Sequence, residues 1–144
     1  MTTTELLEKI LSALAADAAL GAWVRDTYDT ALTVVLDPDP DEPPTEDSYP
    51  MAAVILSEHA RDNTSARQQE WHVVLGLALR DTAELSLAGV TVPAGKLRVE
   101  RLRELAEAAV MAAGLGKVEC DGSVEREVLH PLYAAASVIV ITNK

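Results

Sequence analysis

Residues 70–80, EWHVVLGLALR, constrain the fold most, because two kinds of position alternate strictly along the whole run. One set is large and wholly apolar: Trp71, Val73, Leu75, Leu77 and Leu79. The other set is small and apolar in its middle and polar at its ends: His72, Val74, Gly76, Ala78 and Arg80. A period of two residues predicts a β-strand. The first face therefore belongs to a core, and we expect the second to lie against something flat.

The length and charge of the chain limit the kinds of protein that it can be. A chain of 144 residues fits one domain, spanning 1–144, that buries about 70% of the surface of its unfolded form. The net charge of −11 opposes nucleic-acid binding, because binding to phosphates draws its affinity from lysine and arginine. A lone cysteine, Cys120, no basic leader and no long apolar run predict a soluble, intracellular protein without membrane contact.

The first part of the chain predicts two helices and a strand. Thr2 and Glu5 have the spacing of a capping box, and a helix is expected to run from there to about residue 16. Its apolar stripe is Leu7, Ile10, Leu11 and Leu14. Asp17 is placed to cap a second, short helix that reaches about residue 25. Residues 31–36 then alternate as a strand.

Three long segments separate the regular elements. Residues 37–48, DPDPDEPPTEDS, combine four prolines with six acidic side chains, which predicts an exposed, flexible loop. Residues 57–69 are a polar excursion longer than a hairpin needs. Residues 81–96 alternate around Ala88-Gly89 and predict a small protruding hairpin.

The other segments complete a predicted sheet. Residues 51–56 predict an interior strand, residues 132–142 a long apolar strand, and residues 98–113 a helix that Gly114 ends. Asp121-Gly122 predicts a type I′ hairpin between residues 117–120 and the residues from 123 onward. With strands starting near residues 31, 51, 70 and 132, the predicted fold is α+β: an antiparallel sheet of four main strands with two main helices packed on one face.

No group of residues predicts catalysis, a cofactor or a metal. His59, His72 and His130 are too scattered for a metal site. Gly114 to Lys117 has the letters of a phosphate loop but follows a helix instead of opening one. The start of residues 37–48 lacks the glycine and final glutamate of a calcium loop. The basic residues of 96–103 alternate with glutamates at helical spacing and predict an ion-paired helix face.

The uncovered face of residues 70–80 and the loop before it form the predicted contact surface between copies of the chain. Apolar strand positions without cover favour a protomer that pairs with copies of itself, although helices on both sheet faces are an alternative. The predicted interface residues are His59, Arg61, Asp62, Arg67, His72, Val74, Ala78 and Arg80.

Five segments follow one another in an order that resembles the tail terminator, or tail completion, proteins of long-tailed bacteriophages and prophages. They are ELLEKILSALAADAALGAWV, YPMAAVIL, WHVVLGLAL, RVERLRELAEAAVMAAG and HPLYAAASVIVIT, and they are distributed over most of the chain, from residue 5 to residue 142. Residues 37–48 and 81–96 are longer than the resemblance leads us to expect.

The resemblance implies a non-enzymatic protein that forms a ring, a hexamer, on the finished tail tube. The ring would stop further polymerisation, so its implied partners are copies of itself, the tail tube protein, and a head-completion or neck protein. The implied location is the host bacterial cytoplasm during assembly and the virion tail afterwards. Two alternatives stay open. One is a neck or head-closure protein of a phage, and the other is a small ligand-binding domain or enzyme in which His72, Arg80 and a carboxylate meet in a deep pocket.

Overall fold

The computed structural model of the protein describes residues 1–39, 41–42, 44–61, 69–126 and 130–143. In these residues it has three helices, α1 (Thr3–Ala16), α2 (Ala18–Tyr28) and α3 (Ala94–Met111). The strands are β1 (Thr33–Leu36), β2 (Met51–Arg61), β3 (Gln69–Arg80), β4 (Glu84–Leu87), β5 (Val90–Pro93), β6 (Lys117–Arg126) and β7 (Leu132–Asn143). Five strands form one sheet in the order β1-β2-β3-β7-β6, and β4 pairs with β5. The fold is α+β.

β3 is the middle strand of the five-stranded sheet, and its two faces differ as predicted. Buried and partly buried positions alternate along it, from buried Trp71 to buried Leu79. The buried face belongs to one hydrophobic cluster to which all three helices contribute, with Ile10 on α1, Leu20 on α2 and Leu102 on α3 among its members. The alternation in the sequence therefore identified the core face correctly.

The two N-terminal helices form as predicted and meet at a single residue. Thr2 and Glu5 make the capping box of α1. Asp17 ends α1, and its carboxylate accepts a 2.8 Å hydrogen bond from the backbone N–H of Leu20 in α2. The fully buried stripe of α1 starts one position earlier than predicted: it is Leu6, Ile10 and Leu14, with Leu7 and Leu11 packed at its margin. α2 continues past residue 25 to Tyr28.

The sheet has one main strand more than predicted, because the hairpin expected around Asp121-Gly122 is wrong. β6 passes straight through these residues and pairs with β7, with Cys120 opposite Ile139 and Gly122 opposite Val138. Asp121 is an additional residue between the two pairs, which is the arrangement of a β-bulge. Continuous pairing with β7 thus outweighs the local preference of Asp-Gly for a turn.

Two further predictions about the strands need correction. The polar excursion predicted at residues 57–69 is partly strand, since β2 continues to Arg61 and β3 begins at Gln69. A register shift at Ser57 and a 2.9 Å hydrogen bond from Ser57 Oγ to the carbonyl of His72 accompany this extension. The sheet is also not antiparallel throughout, because β1 pairs with β2 in parallel.

The predicted hairpin at residues 81–96 is confirmed as β4 and β5, with Ala88 and Gly89 at its turn. The last residues of that range already belong to α3, which begins at Ala94 and not at residue 98. Pro93 is the N-cap of α3, with the extended backbone, φ −61° and ψ 127°, that is typical of this position. α3 ends at Met111, and Gly114 follows with a φ of +71°, a conformation that glycine adopts without strain.

The ion-paired face predicted for α3 is confirmed. Arg103 pairs with Glu100 at 2.8 Å and with Glu107 at 2.6 Å, and Arg101 lies 3.4 Å from Glu104. In the part of the chain that the structure describes, no helix is long and apolar enough to cross a membrane.

Candidate subunit interface

The face of the sheet opposite the core is apolar across three strands. The register places residues of β2, β3 and β7 side by side in three rows. We call these nine positions the small-residue face: Met51, Ala53, Ile55, Val74, Gly76, Ala78, Ala134, Ala136 and Val138. Five of the nine are alanine or glycine, so side chains project only a short way from the centre of the face.

A groove of about 240 Å³ runs over the small-residue face. Two predicted interface residues, Val74 and Ala78, lie in its lining. The groove is bordered by Pro38 and Pro44 of the acidic loop and by Tyr49, which follows that loop. Within the described ranges, no helix residue contributes to this lining. A Cβ atom at Gly76 would lie 3.7 Å from the Cβ of Ala53, which is an ordinary contact, so packing around this position does not require glycine.

His72 and Arg80 lie near opposite ends of the same face of β3 and contact different carboxylates. His72 Nε2 lies 2.6 Å from the carboxylate of Glu70, and Arg80 lies 3.1 Å from that of Glu46. Eight strand positions separate the two residues by about 26 Å. The structure therefore does not bring His72 and Arg80 together in one pocket.

His59 lies on the other face of the sheet, away from the small-residue face. Its ring stacks on the indole of Trp71, with the ring centroids 4.8 Å apart and the ring planes 3° from parallel. Arg61 is the last residue of β2. The predicted interface residues Asp62 and Arg67 lie outside the described residues. The predicted residues on β3, from His72 to Arg80, thus share one face, and His59 does not join them.

The hairpin of β4 and β5 presents a second apolar surface. Leu85 pairs with Val92 and Leu87 with Val90, so these four side chains share one side of the ribbon. Leu85 is 38% exposed, Leu87 52% and Val90 61%. We call these four residues the hairpin face. Their alternation was visible in the sequence, but their exposure depends on the tertiary structure.

A buried polar cluster holds the base of this hairpin. Asp81 Oδ2 accepts a hydrogen bond from Tyr28 Oη at 2.7 Å and another from Arg98 at 2.7 Å. Its other oxygen accepts from the backbone N–H of Ala83, just before β4, at 2.8 Å. The cluster therefore joins α2, the start of the hairpin and α3.

The pKa values in this cluster are consistent with a structural role. Burial acts to raise the pKa of Asp81, but hydrogen bonds from Arg98, Tyr28 and the Ala83 N–H outweigh it and keep that pKa below its ordinary 3.8. Burial and the hydrogen bond to Asp81 raise the pKa of Tyr28 above its ordinary 10.0. A carboxylate held ionised in this way is a weak base, and a tyrosine held protonated is a weak acid.

A larger cleft, of about 620 Å³, lies between α1 and the end of α3. Two of its carboxylates already have structural partners: Glu5 accepts from the backbone N–H of Thr2 at 2.7 Å, and Asp17 caps α2. Much of the remaining lining consists of alanines, such as Ala109. Glu5 and Asp17 therefore stabilise helix ends.

Among the residues that the structure describes, no three histidine, cysteine, aspartate or glutamate side chains lie close enough together to hold a metal ion. Comparison of the chain with known protein families and with curated proteins gave no match. The candidate surfaces are therefore defined by geometry alone: the small-residue face and the hairpin face.

Proposed function

We propose that the protein is a non-enzymatic virion morphogenesis protein, a tail terminator that assembles as a hexameric ring. The observation that supports this proposal best is the small-residue face, an apolar sheet surface whose groove is lined by strands and bordered by the acidic loop. In this proposal the helices pack on one face of the sheet and leave the other for a neighbouring subunit. Homo-oligomers with closed symmetry bury such surfaces in a defined number of copies.

The family resemblance suggests where in the virion the proposed ring lies. The ring caps the end of the tail tube, stops its polymerisation, and offers its other side to a head-completion or neck protein. The protein is in the host bacterial cytoplasm during assembly and in the virion tail afterwards. A net charge of −11 suits a ring through which DNA passes, because an acidic surface does not hold phosphates.

Two observations argue against a pocket built on His72 and Arg80. His72 and Arg80, the residues that a pocket would have to bring together, are paired with Glu70 and Glu46 at separate places. The groove of about 240 Å³ is also below the roughly 300–1,000 Å³ that is typical of ligand pockets.

Native mass spectrometry with negative-stain imaging tests the proposal. We expect rings with six times the mass of the 15.4 kDa chain. When the rings are added to polymerising tail tube protein, we expect tubes that carry a ring at one end and stop growing. A monomer at every concentration, with no rings on tubes, would reject the proposal. Rings that bind a neck protein and leave tube growth unchanged would instead assign the chain to the neck.

A further inference from the structure

The connection between β1 and β2 has to cross one face of the sheet, because these two strands are adjacent and parallel. Thr33 at the start of β1 lies beside Met51 at the start of β2. The chain therefore leaves the far end of β1 and must return along the strands before β2 can begin. All three helices contribute to the core cluster on one face, whereas Pro38 and Pro44 of the connection line the groove on the other. The connection thus crosses the small-residue face.

Part of the small-residue face is already buried within the single chain. Met51 is 7% exposed and Ala53 8%, although neither belongs to the core cluster on the other face. Ile55, the next position of the same face of β2, is 37% exposed. Among the described residues that line the groove, those outside the strands of the sheet are Pro38, Pro44 and Tyr49. The chain therefore covers part of this face with its own loop.

An exposed ion pair fastens this cover to the sheet. We call residues 44–49 the strap. The carboxylate of Glu46, in the strap, lies 3.1 Å from the guanidinium of Arg80, the last residue of β3. The side chain of Glu46 is 79% exposed and that of Arg80 39%. Exposed ion pairs contribute little to stability and are screened by salt, so this fastening is weak.

Backbone hydrogen bonds fix the two ends of the connection to the sheet. At one end the N–H of Asp37 donates to the carbonyl of Val54 at 2.9 Å, and at the other the carbonyl of Pro50 accepts a 3.0 Å bond from β1. The backbone bonds that the structure shows within the strap are internal, such as the 3.0 Å bond from the N–H of Ser48 to the carbonyl of Thr45. The strap can therefore lift from the sheet while both ends stay in place.

We propose that the strap is a releasable cover that the chain places over its own small-residue face. Closed, it shields Met51 and Ala53 from water. Released from Arg80, it exposes them. Association through this face has to lift the strap first, so the fraction of chains with an open strap limits the apparent affinity. The cover stands on the structure of the single chain, and its control of association rests on the self-assembly proposed above.

Thiol labelling at residue 53 measures how often the strap is open. Cys120→Ser first removes the native thiol, which is exposed. In that background, Ala53→Cys places a reporter at a covered position, and Ile55→Cys places a matched reporter at an exposed position of the same strand face. Labelling is measured at a dilution at which ultracentrifugation shows single chains, and circular dichroism confirms that each variant is folded.

Exchange of the two charges tests the fastening. Glu46→Arg or Arg80→Glu alone should raise the labelling rate at residue 53 about two- to fivefold, as expected for loss of an exposed ion pair. Both substitutions together restore opposite charges and should return the rate to that of the wild type. Salt at about 1 M should raise the rate in the wild type and not in the single variants. The rate at residue 55 should stay unchanged throughout.

Asp47→Arg is the matched control for net charge. Asp47 is exposed and follows Glu46 directly, so its substitution changes the charge of the strap by the same amount. It should leave the labelling rate at residue 53 unchanged. Labelling as fast as in Glu46→Arg would overturn the proposal, as would single variants that label like the wild type or a double exchange that fails to restore the rate.

The association of the same variants tests the control of assembly. With the strap released more often, Glu46→Arg and Arg80→Glu should each associate about two- to fivefold more tightly than the wild type in analytical ultracentrifugation, and the double exchange should not. Faster labelling with unchanged association would overturn this control and leave the ring in place. A wild type that is monomeric at every concentration would reject the ring, while the labelling rates still decide whether the strap covers the face.

Discussion

The ring of Tyr133 on β7 packs against Gly95 in the first turn of α3 so closely that a Cβ atom at residue 95 would overlap it. The hydroxyl of Tyr133 is also 2.6 Å from Nδ1 of His130. Gly21 in α2, in contrast, has open space where a Cβ atom would lie. Two glycines inside helices therefore have opposite packing environments.

Alanine substitution at these two glycines should have opposite effects on stability. Gly95→Ala should lower the free energy of unfolding by about 1–3 kcal/mol, because the tyrosine ring must move. Gly21→Ala should raise it by about 0.5–1 kcal/mol, because alanine is the better helix former. Urea denaturation of both variants measures the difference. Equal stabilisation by both would show that Tyr133 moves away at little cost.

Removal of the Asp81 charge should change the acid sensitivity of the protein. The pKa of Asp81 is lowered in the folded state, so its contribution to stability is present above the ordinary pKa and is lost as pH falls through the folded value. Asp81→Asn should lower stability at pH 7 by about 2 kcal/mol, because Arg98 and Tyr28 lose a charged partner. The variant should then lose less further stability below about pH 4 than the wild type does. Parallel acid-unfolding curves would contradict this role.

Tyr28 should account for part of the loss of protein stability at alkaline pH. Its pKa is raised in the folded state, chiefly by burial, so its contribution is full below the ordinary value of 10.0 and is lost as pH rises through the folded value. Tyr28→Phe should cost about 1 kcal/mol at pH 7 and weaken the loss of stability above about pH 10. Thermal melting between about pH 8 and about pH 12 measures both effects. An unchanged alkaline slope would mean that other groups control it.

Glu107 should contribute more to the stability of the fold than Glu104 does. Glu107 accepts a hydrogen bond from Ser137, a fully buried residue on β7, and pairs with Arg103 at 2.6 Å. Glu107→Ala should therefore cost about 2 kcal/mol, since a buried hydroxyl loses its partner. Glu104→Ala should change stability by less than about 0.5 kcal/mol, because its pair with Arg101 is exposed. Chemical denaturation of both variants distinguishes them, and similar losses would show that the buried hydroxyl finds another partner.

Much of the fold could be predicted because the sequence carries local signals for it. Alternation over residues 70–80 identified the two faces of β3, and Thr2 with Glu5 identified the start of α1. The Asp121-Gly122 turn failed as a prediction because pairing between β6 and β7, which the local sequence does not encode, decides the outcome. Ser57 and the polar residues after it extend β2 for the same reason.

The candidate surfaces could be predicted only in part. The apolar middle of one face of β3 indicated the small-residue face, but the contributions of Ala53 and Ala136 follow from strand register. The cluster of Tyr28, Asp81 and Arg98 joins positions 53 and 17 residues apart, so it emerges only from the tertiary structure.

Strand register also determines when the small-residue face can exist. β7 supplies Ala134 and Ala136, and it pairs with β3 along its whole length, as far as Asn143 opposite Gln69. A nascent chain on the ribosome that contains β2 and β3 but not β7 lacks one wall of the groove. The surface therefore matures only after β7 has been synthesised, which delays any docking through the groove until the sheet has formed.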